Sequence, residues 1–118
     1  MTSDTFRHLL FICSRNRKRS PTAEIVFSKA PGILTASAGL APDAETPLDA
    51  DLVEWADVVL VMEKSHRKKL LARFGKALGD RKVICLDIPD NYQFMEPALV
   101  ELLEQKVPIE RWSRKGGD

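Results

Sequence analysis

Four short apolar runs, at residues 9–13 (LLFIC), 33–36 (ILTA), 58–62 (VVLVM) and 83–86 (VICL), constrain this chain more than any other feature. Each is continuous rather than alternating, the pattern of a strand covered on both faces. The stretches between them are long enough for crossover helices and carry helical spacing. Ala23, Val26, Phe27 and Ala30 fall at i, i+3, i+4 and i+7, and Leu70, Leu71, Phe74 and Leu78 make another stripe. Between these, Leu48, Leu52 and Trp55 follow a start signal at Thr46-Pro47. A last helix is expected over 97–106, opened by Pro97, with Leu99, Val100, Leu102 and Leu103 as its buried face. Strand and helix thus alternate four times. That order predicts an α/β domain, a four-stranded parallel sheet with helices on both faces.

With 118 residues, 44% hydrophobic and 30% charged, a single domain over 1–118 is expected, ending in a frayed tail over 111–118. No apolar run approaches the roughly 20 residues of a membrane span, and the polar start over 1–6 lacks the basic-then-apolar order of a secretory leader. The expectation is a cytoplasmic monomer with no membrane partner. The net charge of +1 is uninformative, but its distribution is not. Residues 40–63 hold seven acids and no Lys or Arg, whereas 64–82 hold eight Lys or Arg and one acid, Asp80. Such segregation reads first as solvated helix faces of opposite sign. Two cysteines, Cys13 and Cys85, cannot build a disulfide framework, and His8 and His66 are too far apart for a zinc spacing. No metal and no cofactor are expected.

The first strand runs directly into Cys13-Ser14-Arg15-Asn16-Arg17-Lys18-Arg19-Ser20-Pro21, with a helix expected from about Pro21. At a helix start the first amides lack internal partners and the peptide dipoles sum to partial positive charge, so the turn can hold a tetrahedral dianion. A loop wrapped in this way turns successive N–H groups inward as a nest. Cys13 stands at its mouth, where a helix end and guanidinium groups favour thiolate over thiol and make a nucleophile. Arg19, six residues later, carries a planar fork that can pair two equatorial phosphoryl oxygens, which Lys cannot do.

FICSRNRKRSPTAE resembles the signature of the low-molecular-weight protein tyrosine phosphatases, a CxxxxxR loop followed by Ser-Pro and a small-residue helix start. Three further stretches match in order. TASAG at 35–39 is similar to the family's SAG turn, ADVVLVME at 56–63 to its third strand ending in Met-acid, and Asp90-Asn91-Tyr92 to its Asp-Pro-Tyr. The resemblance implies that Cys13 is the nucleophile, Arg19 the phosphate clamp and Ser20 a hydroxyl bonded to the thiolate. It makes Asn16 the residue that keeps the cradle in shape. It also implies an Asp that protonates the leaving oxygen and then activates water against a phosphocysteine. Asp90, in the Asp-x-Tyr context, is the favoured acid; Asp87, directly after the fourth strand, is the runner-up. Ser14, Arg15, Asn16, Arg17, Lys18 and Ser20 are the expected phosphate-binding residues.

The chain departs from the family pattern in length between Gly39 and Leu48, in Asn91 for the usual Pro, and in Arg15, Arg17 and Lys18 where small or apolar residues are common. These three cations read either as solvated surface or as contacts to a substrate with more than one phosphate. The first expectation is therefore a cysteine-dependent phosphatase acting on phosphotyrosine or a similar phosphomonoester. The alternatives are a phosphoesterase on a nucleotide or RNA-end phosphate (2', 3' or 2',3'-cyclic), an arsenate reductase with Cys85 as relay thiol, and a phosphate-binding module without turnover. Cys85 and Trp55 read as core residues, Met62 as part of a buried strand, and His66, amid Lys64, Arg67 and Lys68, as solvated with no catalytic pairing to Cys13.

Overall fold

The first apolar run becomes a central strand of the sheet. A computed structural model describes residues 6–113 and arranges β1 (Arg7–Cys13), β2 (Ile33–Gly39), β3 (Val58–Val61) and β4 (Lys82–Cys85) in the parallel order β2-β1-β3-β4. Between them lie α1 (Arg19–Phe27), α2 (Ala50–Trp55) and α3 (Lys64–Leu78), and α4 (Pro97–Lys106) follows. The four-stranded parallel sheet covered by helices is the architecture that the order of apolar runs predicts.

Successive side chains of a strand point to opposite faces, so each central strand feeds two cores. Leu9 and Phe11 pack with Ala23 and Phe27 of α1 and Leu99 and Leu103 of α4. Leu10 and Ile12 pack with Val53 of α2 and Leu70 and Leu78 of α3. The expectation of strands buried on both faces holds for β1 and β3 alone. β2 and β4 are the sheet's edges, where Leu34 is 43% exposed and Val83, Ile84 and Cys85 are half-buried. Cys85 is accordingly a half-covered edge residue rather than a core one.

Helix boundaries follow local chemistry. α2 does not begin at Thr46-Pro47: the backbone N–H and C=O of Gly39 bond Thr46 and Leu48 at 2.9 Å each, holding that segment extended beside the end of β2. The helix starts at the next capable residue, Asp49, whose Oδ1 accepts the Leu52 amide at 2.8 Å. α1 begins at Arg19, two residues before Pro21, which needs no acceptor for an N–H it lacks. In α3 the stripe turns at a kink, Phe74 having non-helical backbone angles, and Leu71 is left 48% exposed. Trp55 is half-buried, stacked on His8 with ring centroids 4.4 Å apart. Beyond α4, a short 3-10 turn at Ile109–Arg111 brings Trp112 against the α1/α4 core, so packing continues past Arg111. The rest of the expected tail, 114–118, lies outside the described residues.

Candidate active site

β1 ends at Cys13 with β2 on one side and β3 on the other, so the loop after it emerges where successive crossovers leave in opposite directions. In open α/β sheets this is where ligands bind. The segment after β2 shapes the loop. The amides of Leu40, Ala41 and Glu45 donate to the carbonyls of Cys13, Ser14 and Arg15 at 3.0, 2.8 and 3.0 Å. In a trans peptide the N–H points away from its C=O, so these three bonds turn the amides of Ser14, Arg15 and Asn16 the other way. The third of those amides reaches Cys13 Sγ at 3.2 Å. The approach of the two segments requires Gly39: a Cβ there would sit 2.5 Å from the Ser14 carbonyl oxygen and 2.6 Å from the Ala44 Cβ.

Asn16 turns the loop in left-handed conformation, φ 59°, which Asn tolerates better than most residues. Its side chain is fully used. Nδ2 donates to Ser20 Oγ and to Ser37 Oγ, both at 2.9 Å, and Oδ1 accepts the Thr46 amide at 3.1 Å. These bonds fix proton directions. Ser37 passes its own proton to Glu24 Oε1 at 2.5 Å, and Ser20, already an acceptor, has its proton free for Cys13 Sγ 2.9 Å away. The sulfur thus accepts from the Ser20 hydroxyl and the Asn16 amide, the arrangement suited to a thiolate. Cys13, Asn16, Ser20 and Ser37 are all buried.

Above the sulfur opens a depression of about 450 Å³ lined by Cys13, Ser14, Arg15, Arg17, Lys18, Arg19 and Asp90. Asn16 and Ser20 lie beneath it as supports. Arg19 is only 3% exposed: Nη1 donates to Glu63 Oε2 at 2.5 Å and to the Ile88 carbonyl at 2.6 Å, and Nε lies 3.7 Å from Asp90 Oδ1. Nη2 is the guanidinium nitrogen without a protein partner among the described residues. Of the two candidate acids, Asp90 stands over the cradle. Asp87 lines a neighbouring depression with Glu63, Lys64, Ser65, Ile88 and Pro89, its backbone left-handed at φ 54°. The rim cations are loosely held, Arg15 4.0 Å from Asp43 and Arg17 3.5 Å from Glu45, all four side chains about half exposed or more.

Two residues of this site were not legible as such. Glu63, noted only as the acid ending a strand pattern, is the partner that aims Arg19. His66 is not solvated: it is 2% exposed, with Nε2 3.0 Å from Ser14 Oγ. The periodicity carried the signal, since His66 precedes buried Leu70 by one helical step of four, but its cationic neighbours masked it. Cys85 leans from the sheet edge against the α2/α3 core, whereas Cys13 is buried in the α1/α4 core on the other face. Burial pushes the Cys85 thiol up from its ordinary value, and its Sγ contacts Asp87 Oδ1 at 3.5 Å. A thiol relay from Cys13 has no support in this placement.

No protein-family model and no curated protein sequence matches the chain. Solved structures do. Wzb from Vibrio vulnificus, bound to benzylphosphonate, is 28% identical, covering 84% of this chain and 90% of that one with a TM-score of 0.66. The tyrosine phosphatase Wzb from Escherichia coli K30, in complex with phosphate, is 27% identical over 95% of this chain and 99% of that one, TM-score 0.70. The tyrosine phosphatase AmsI from Erwinia amylovora shares the fold at 24% identity, over 97% and 98% of the two chains, TM-score 0.74. In fold and over most of its length the chain is thus similar to solved tyrosine phosphatases, and its own cysteine-to-arginine loop stands at the end of the first strand of this sheet.

Proposed function

We propose that this protein is a cysteine-dependent phosphatase, with Cys13 as nucleophile, Arg19 and the loop amides as the phosphoryl clamp, and Asp90 as acid and then base. The observation that carries the reading is a buried sulfur accepting two hydrogen bonds beneath a depression that Arg19 and Asp90 both line. In the first step Sγ attacks phosphorus, an S–P bond forms as the ester O–P bond breaks, and Asp90 gives its proton to the leaving oxygen. In the second, Asp90 takes a proton from water, whose oxygen attacks phosphorus. The S–P bond breaks, releasing inorganic phosphate and restoring the thiolate. The loop donors and Arg19 Nη2 counter charge on the equatorial oxygens in both transition states.

Phosphate release from p-nitrophenyl phosphate and a phosphotyrosine peptide tests this. Cys13→Ser should abolish it. On a substrate with a poor leaving group Asp90→Asn should cost roughly 10²–10⁴-fold, while Asp87→Asn should stay within a few-fold of wild type. Full turnover by Asp90→Asn on that substrate would overturn the assignment of the acid.

A second reading of the substrate is favoured by the lining of the depression, which has three cations besides Arg19 and no aromatic ring. A nucleotide or an RNA-end phosphate, carrying further phosphates for Arg15, Arg17 and Lys18, fits that rim better than an aromatic leaving group. α3 adds exposed Lys64, Arg67, Lys68, Lys69, Arg73 and Lys76 with no acid among its residues. Oligonucleotides ending in 2', 3' or 2',3'-cyclic phosphate should then react faster than phosphotyrosine peptide and slow as salt rises. Equal rates at low and high salt would sink this reading. We further propose that the protein acts as a cytoplasmic monomer, a single domain without a metal or cofactor.

A further inference from the structure

His66 is held at both ring nitrogens, and the two contacts together decide where its proton sits. Nδ1 accepts the backbone N–H of Glu63 at 3.1 Å, so that nitrogen carries no hydrogen. Burial first, and the nearby Arg19 charge second, hold the ring below its ordinary pKa, which keeps it neutral at pH 7. A neutral imidazole with a bare Nδ1 has its single N–H on Nε2. Nε2 lies 3.0 Å from Ser14 Oγ, so this bond runs from histidine to serine. Ser14 therefore keeps its own O–H for another acceptor, and Ser14 lines the depression above Cys13.

We propose that His66 is a positioning residue for the oxyanion: by donating to Ser14 Oγ it directs the serine hydroxyl proton toward a bound phosphoryl oxygen, adding a side-chain donor to the cradle. The inference rests on the phosphatase reading of the site but concerns anion binding, which is measurable without turnover. A hydroxyl bonded to a charged oxygen contributes roughly tenfold in affinity. The competing account is purely structural, because His66 also completes a capping box with Glu63 at the start of α3.

Two variants separate these roles. In His66→Asn the carboxamide oxygen can take the place of Nδ1 and keep the cap, with nothing at Nε2. In His66→Gln the carboxamide nitrogen can reach the place of Nε2 and offer an N–H to Ser14. The probe is inorganic phosphate, its dissociation constant read by NMR titration for wild type, Ser14→Ala, His66→Asn, His66→Gln and the Ser14→Ala/His66→Asn double variant. Ser14→Ala should weaken binding roughly tenfold and His66→Asn several-fold. In the double variant the asparagine should add nothing further, and His66→Gln should restore most of the affinity. Ring ¹⁵N shifts of wild type should show the proton on Nε2. Equal weakening by His66→Asn with and without Ser14, undiminished binding in His66→Asn, a proton on Nδ1, or no phosphate binding by wild type would each overturn the proposal. Phosphate binding that follows this pattern with no turnover of any phosphoester would leave it standing and reject the phosphatase reading.

Discussion

The two sides of the loop after β1 are built on opposite principles. Beneath Cys13, Asn16, Ser20, Ser37 and Glu24 form a chain in which each donor has one acceptor, and no buried side-chain nitrogen or oxygen among the described residues lacks a partner. Above it, Arg15 and Arg17 meet Asp43 and Glu45 across solvent at 4.0 and 3.5 Å. In a low-dielectric interior a missing partner is costly, so the underside admits almost no substitution. Exposed ion pairs contribute about 0–1 kcal/mol, so the rim can change composition without changing the fold. On the proposed function, the part that would grip a phosphoryl group is thus fixed, and the part that would meet the rest of the substrate is free to vary.

Replacing residues on each side probes that contrast. The largest loss is expected for Gly39→Ala, where the new methyl meets a backbone oxygen and the Ala44 Cβ. Overpacking of this kind costs about 3 kcal/mol, read as a lower midpoint in urea, with activity falling further because Ser14 must move. Next comes Asn16→Ala, which strands the Thr46 amide, frees Ser20 to turn from the sulfur and puts Ala at positive φ. Destabilisation of roughly 2–3 kcal/mol is expected, with loss of turnover in the protein that remains folded. A cost near zero would mean that the underside is as tolerant as the rim.

A pH effect of intermediate size follows from His66. Its folded pKa lies below the unfolded value of about 6.5, so the unfolded chain binds the proton more readily. Stability from this group is intact above pH 6.5 and is lost as pH falls through the folded value, by at most about 1.4 kcal/mol per pH unit. Unfolding curves of wild type and His66→Asn should therefore converge on acidification; parallel curves would remove His66 from the account. The smallest effect is expected at the rim. Arg15→Ala with Arg17→Ala should change stability by less than about 0.5 kcal/mol and leave p-nitrophenyl phosphate turnover near wild type. The same pair should lower the salt sensitivity toward an oligonucleotide substrate.

The same division explains what was legible in the sequence. Apolar continuity marked β1 and β3, and Pro97 marked the start of α4, because these depend on hydrophobic burial and a single cap. The Cys13-to-Arg19 loop was legible from spacing, since its chemistry is local in the chain. Edge status was not, because which strands flank the sheet depends on crossovers rather than composition; hence half-covered β4 and Cys85. Thr46-Pro47 misled because its backbone was claimed by Gly39, seven residues upstream of Thr46. Glu63 was missed because its partner Arg19 is 44 positions away, and His66, whose burial the helical step to Leu70 did signal, was missed as a site residue because its partner Ser14 is 52 positions away. Interactions at that range leave no periodic trace.

The stretch carrying Asp90 is tacked down at both ends. On one side the Lys106 ammonium sits 2.9 Å from the Leu86 carbonyl and 3.3 Å from that of Asp87, and Ile88 bonds Met62 through its amide and Arg19 through its carbonyl. On the other, the Met95 amide reaches Thr22 Oγ1 at 2.9 Å, and between them Tyr92 leans on the core. Such a strap has little slack to swing like a door. On the proposed mechanism the proton donor would be stationed rather than delivered, substrates would pass the cationic rim without waiting for a hinge, and the last turn of α4 would anchor chemistry at the mouth of β1.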